Sequence, residues 1–85
     1  MKSYNRSRNR LHKSKLEDFT KWLETRGWVK QITKDYYEVL RMVKGKETLL
    51  IHTKLELKEH YTTWGASNTE LNIWLRERKR KHGKK

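Results

Sequence analysis

The chain has 85 residues, with 22 Lys and Arg against 10 Asp and Glu, a formal net charge of +12 and a pI near 10.2. It contains no cysteine, which excludes disulfides and thiolate zinc sites and leaves stability to an apolar core and hydrogen bonds. No apolar run approaches the roughly 18 residues of a membrane span, and the basic start Met1-Lys2-Ser3-Tyr4-Asn5-Arg6 lacks the apolar stretch of a signal peptide, so a cytoplasmic protein without a membrane partner is expected.

Residues 1–13 alternate basic and small polar side chains, with Leu11 the one aliphatic residue after Met1. So little apolar surface does not offset the entropy of ordering, and the segment predicts a disordered basic arm. Ser14-Lys15-Leu16-Glu17 has the form of a capping box, in which serine and glutamate side chains each satisfy an orphan backbone N–H. Leu16, Phe19, Trp22 and Leu23 then recur at helical spacing. Gly27 suits the left-handed residue that closes a helix, and Trp28 follows it, placed to pack back on Leu23.

From Val29 the pattern changes. Tyr36, Tyr37, Val39, Leu40, Met42 and Val43 suit a strand, with Lys30, Lys34, Glu38 and Arg41 interleaved. Lys44-Gly45-Lys46 reads as a turn, and Thr48 to Thr53 as a second strand antiparallel to the first. Lys54-Leu55-Glu56-Leu57 fits either an extension of that strand or a short turn. Lys58 to Trp64 alternates and is rich in threonine and aromatics, which predicts a third strand. Beyond Gly65-Ala66, Ser67-Asn68-Thr69-Glu70 repeats the capping box. It opens a helix marked by Leu71, Ile73, Trp74 and Leu75 that nothing stops before Gly83.

The fold class expected is α+β, in the order α-β-β-β-α: a small antiparallel three-stranded sheet with both helices packed on one face. Phe19, Trp22, Leu23, Leu71, Trp74 and Leu75 would supply most of the core. A basic arm at 1–13 would precede a single domain at 14–82, and 83–85 would be a basic tail.

Charge distribution says more than total charge. Residues 1–15 carry six positive charges and no negative one, while 76–85 carry seven against Glu77. Residues 16–75 hold nine of each sign, so the whole net charge lies at the ends. A neutral body with cationic ends suits phosphate gripping. Solvated termini would explain lysine, but less readily the frequent arginine, whose planar fork holds phosphate bidentately. A helix C-terminus favours nearby cations by about 0.3–1 kcal/mol each, which accounts for a few of the last charges and not for seven.

The expected partner is therefore nucleic acid, DNA or RNA, contacted by Lys2, Tyr4, Arg6, Arg8, Arg10, Lys13 and Lys15 in the arm. Arg76, Arg78, Lys79, Arg80 and Lys81 would contact it from the second helix. Tyr4, between basic neighbours, is placed to stack on a base. Tyr36 and Tyr37, adjacent on a strand, should point to opposite faces with one buried, and Tyr61 and Trp64 should likewise part. The open side of the sheet would then show one tyrosine with a tryptophan or histidine.

Catalytic patterns are missing. There is no glycine-rich phosphate loop, nucleophile elbow or paired-acid motif, and Glu56 and Glu59 lack a partner constellation. His12 and His82 lie in the charged ends. His52 and His60 fall on neighbouring predicted strands beside Glu59, without a ligand spacing that a metal would need. Neither enzymatic activity nor a metal nor a cofactor is expected.

Two resemblances attach to these residues. The α-β-β-β-α order over 14–82, with Tyr37-Glu38-Val39 in its first strand, resembles double-stranded-RNA-binding domains in topology. That family's basic cluster opens its second helix, whereas Ser67-Asn68-Thr69-Glu70 is polar and acidic here. The runs Tyr37-Glu38-Val39-Leu40-Arg41, Leu49-Leu50-Ile51 and Lys58-Glu59-His60 make residues 11–64 similar to small basic proteins encoded by phages and prophages of Gram-positive bacteria. This second resemblance implies a phage accessory protein. It also implies an alternative: an anti-CRISPR-like inhibitor of a host nucleoprotein defence enzyme, whose basic ends occupy a nucleic-acid channel.

Overall fold

The structure, a computed structural model, describes residues 9–83, with side chains from Asn9 to Lys79. Its elements are β1 (Arg10–His12), a 3-10 turn (Lys13–Lys15), α1 (Leu16–Thr25), β2 (Val29–Gln31), β3 (Glu38–Lys44), β4 (Glu47–Thr53), β5 (His60–Thr63) and α2 (Ala66–Gly83). The strands form one sheet in the order β1-β5-β4-β3-β2, with every neighbouring pair antiparallel.

The sheet thus has five strands rather than the three expected. The chain order becomes β-α-β-β-β-β-α, and the topological likeness to double-stranded-RNA-binding domains goes with the correction. Both added strands are three-residue edges. β1 lies inside the 1–13 segment that composition assigned to a disordered arm. Its backbone pairs with β5, and the Thr63 amide donates to the Asn9 carbonyl while the Lys13 amide donates to that of Glu59, both at 3.0 Å. Ladder bonds of this kind are indifferent to side-chain polarity, and the single aliphatic residue, Leu11, is 2% exposed in the core. One anchor and a free sheet edge are enough.

β2 has a different origin. The stretch from Val29 to Val43 is not one strand but the two arms of a hairpin, β2 and β3, joined by the loop 32–37. The Glu38 carboxylate shapes that loop by accepting from the amides of Lys34 and Asp35, at 3.4 and 3.1 Å. Tyr36 and Tyr37 therefore sit in the loop and not on a strand. Both are exposed, at 89% and 43%, which corrects the expectation of one buried ring.

The helix starts also differ from the capping-box reading. Lys15 occupies the first cap without a side-chain bond, and the amide and hydroxyl of Ser14 turn instead to His12 Nδ1, at 3.2 and 2.9 Å. α2 begins at Ala66, ahead of the expected box. The Ser67 hydroxyl closes a turn on Trp64, accepting from its amide at 3.0 Å and donating to its carbonyl at 2.9 Å. Glu70 reaches across to Arg26, at 3.2 Å for Nη2, and so ties the end of α1 to α2. The end of α1 follows expectation. Gly27, at φ 100°, donates to Glu24, and Trp28 donates to Leu23, both at 3.1 Å, which is the paired bonding of a Schellman motif.

β3 and β4 form the central hairpin. Lys44 faces Glu47 across the two-residue turn Gly45-Lys46, whose Gly45 takes φ 61°, the positive value that a type II′ turn needs at its first central position. Leu40 opposes Ile51 and Met42 opposes Leu49 on one face. These four side chains form one core with Leu11, Phe19, Leu23, Trp28, Leu71 and Trp74, while Trp22 and Leu75 pack against its margin half-buried. The ambiguous Lys54–Leu57 segment is a turn, with the Leu57 amide donating to Lys54 at 3.0 Å.

A bulge at Val39 shifts the register between Glu38 and Leu40. In a regular strand, residues three apart point to opposite faces. The extra residue brings Glu38 onto the face of Arg41, opposite His52, and the two side chains form a bidentate ion pair. The Arg41 guanidinium, with the two loop amides, holds the Glu38 carboxyl below the usual glutamate range. Among the described residues no helix is long and apolar enough to cross a membrane.

Candidate nucleic-acid interface

Where the β1 edge meets α2, a small hollow of about 220 Å³ is lined by Arg10, His12, Lys15, His60 and Arg78 over a floor of Leu11, Leu71, Trp74 and Leu75. Three basic residues, drawn from both ends of the sequence, meet in this seam. Arg10 and Lys15 come from the first described residues, and Arg78 comes from the far end of α2. Among the described residues no acidic side chain lines the hollow, although Glu59 lies 3.8 Å from His12 Nε2 at its margin. His12 and His60 are cross-strand partners with ring centroids 5.1 Å apart, edge to face.

Arg78 follows Trp74 by one helical turn and stacks over its ring at 4.9 Å. Such stacking restrains the guanidinium while leaving its in-plane N–H groups for an anion. Arg10, Lys13 and Lys15 are exposed, with Lys13 Nζ 5.5 Å from the Tyr61 ring. Arg76 and Lys79 are exposed on α2, beyond the part of the helix that the core covers. Arg80 and Lys81 continue the α2 backbone, and their side chains lie outside the described residues. Lys2, Tyr4, Arg6 and Arg8 also lie outside the described residues.

Two seam residues were not among those expected. His12 was set apart in a charged end, and His60 was expected on a strand neighbouring that of His52, where it lies. Within that pairing β5 places Thr62 opposite His52, and His60 opposite His12. Pairing of 10–12 with β5 was the missing signal, and composition does not carry it.

A second, larger hollow of about 680 Å³ opens on the sheet face turned away from the helices. Tyr37, His52 and Trp64 supply its rings, and Asn9, Asp35, Lys54, Leu55, Glu56 and Thr62 complete much of its rim. Trp64 is 58% exposed yet fixed: its indole N–H donates to His52 Nδ1 at 3.1 Å, and the two rings stack 5.7 Å apart at 27°. Tyr37 is tethered by its carbonyl, which accepts from the Thr53 amide at 2.8 Å. Its ring meets that of Tyr36 edge to face at 5.0 Å.

Comparison with protein-family models, with curated proteins and with solved structures gives no match for this chain.

Proposed function

We propose that this protein binds nucleic acid by gripping phosphates in the seam between β1 and α2, with Arg10, Lys15 and the ring-stacked Arg78 as its cations. The observation that carries this reading is the convergence of basic residues from both ends of the sequence on one hollow that, among the described residues, has no acidic lining. Charges collected merely for solubility have no reason to converge, because mutual repulsion favours spreading them apart. Lys13, exposed in the 3-10 turn after β1, and Lys79, exposed next to Arg78 on α2, add positive charge close by in sequence, whereas Arg76, two residues from Arg78, points to another side of the helix.

A matched pair of charge-neutralised variants tests it. One carries Arg10→Gln, Lys15→Gln and Arg78→Met, the last chosen to keep apolar cover over Trp74. The other carries Lys30→Gln, Lys34→Gln and Lys46→Gln, three exposed residues in or next to β2 and β3. Both lose the same net charge. The seam variant should reduce the slope of log K against log salt by about 2 to 3, at roughly 0.7–0.9 for each phosphate no longer neutralised. The control should keep the slope close to that of the parent. Equal losses in the two variants would make binding a matter of net charge and remove the seam as the site.

A further inference from the structure

We infer that the hollow formed by Tyr37, His52 and Trp64 receives an unpaired base, so that the nucleic acid this protein takes is single-stranded. The inference rests on the proposed binding of phosphates in the neighbouring seam and adds to it what the rest of the ligand must be. Trp64, Tyr37 and His52 line one hollow, with the indole 58% exposed, and so offer flat π surfaces that a heterocycle can cover. Here the indole is also held in place, since its hydrogen bond to His52 Nδ1 and the stacked imidazole restrict its rotation before any ligand arrives. Pre-organised aromatic platforms of this kind hold bases through their π faces, with little regard to sequence.

The charge at the hollow selects the base and not the phosphate. Lys54 is outweighed there by Asp35 and Glu56, so an anion gains nothing by entering. The two carboxylates and the Asn9 amide can instead accept from and donate to the edges of a neutral heterocycle. Phosphates have a place of their own one residue away. Asn9 lines the hollow and Arg10 lines the seam, while Thr62, opposite Arg10 in the β1–β5 pairing, lines the hollow again. A strand crossing the β1 edge would therefore meet a cation for its backbone and a ring for its base on consecutive residues. A duplex keeps its bases stacked inside and offers nothing to the aromatic hollow.

Fluorescence anisotropy with the full-length protein and four probes of equal length tests this: single-stranded RNA, single-stranded DNA, duplex DNA, and an abasic deoxyribose-phosphate strand. The parent should bind the base-bearing single strands more tightly than the abasic strand or the duplex. Trp64→Ala should weaken the base-bearing strands by about 5- to 100-fold, the loss typical of one stacked base, and leave the abasic strand unchanged. Tyr37→Ala, whose structural tie is through its backbone, should act in the same direction and guards against a folding defect in the first variant. Equal affinity for abasic and base-bearing strands, or no effect of either variant, would overturn the base site while leaving phosphate binding intact. Failure of the parent to bind any of the four probes would instead remove the phosphate reading beneath it.

Discussion

Glu38 shows how one residue sets the geometry around it. The bulge at Val39 turns its carboxylate to Arg41, and the same carboxylate fastens the loop that carries Tyr36 and Tyr37. Its pKa is lowered mainly by the hydrogen bond from Arg41. A carboxyl more acidic in the folded than in the unfolded chain adds stability above its unfolded pKa, and loses it as pH falls through the folded value. Glu38→Gln should therefore lower Tm at pH 7, and the gap from the parent should narrow as melts are taken toward pH 3. A gap independent of pH would show that the ion pair does not carry this contribution. Gly27 makes a separate test. A methyl group there meets only the end of the Lys44 side chain, with Cε at 3.6 Å, so Gly27→Ala isolates the backbone cost of φ 100°. Denaturant unfolding should show a loss of about 1–2 kcal/mol, the penalty of left-handed backbone for a residue with a Cβ.

Among the elements, those built on side-chain pattern were legible and those built on pairing were not. The apolar spacing of Phe19 and Leu23 and the Gly27 stop gave α1 its place, and Leu71 and Trp74 did the same for α2. The β3–β4 hairpin followed from its turn and from the Leu40–Ile51 and Met42–Leu49 faces. β1 and β2 carry no comparable signal. Each is three residues long at an edge, and β2 buries no side chain at all. Such strands exist because a neighbour offers unpaired backbone groups, which is a property of the assembled sheet. The same limit hid half of the proposed binding surface. The basic residues were readable as a set, but the seam appears only once β1 docks and brings Arg10 to Arg78. Because Leu11 anchors β1, Leu11→Ala should cost about 2–5 kcal/mol and speed amide exchange at Lys13 and Thr63, which bond across that edge. Exchange at those amides indifferent to the change would return 10–12 to an unanchored arm.

For the whole molecule, charge and fold divide the work. The body between 16 and 75 is neutral and supplies most of the core, while the fold brings Arg10, Lys15 and Arg78, from the two basic ends, to one side of β1. Trimming the ends is a poor test of their role, because removing residues through His12 also removes a strand and Leu11 from the core. Substitution at fixed length keeps the two effects apart. The central claim is that phosphate binding by this positive surface drives association, and its most direct test is a salt titration of the unaltered protein on a single-stranded oligonucleotide. Log K should fall linearly with log salt concentration, at about 0.7 per phosphate neutralised, so three seam cations alone give a slope of roughly −2. Weak binding with a flat salt response would contradict the account and direct the search to a protein partner.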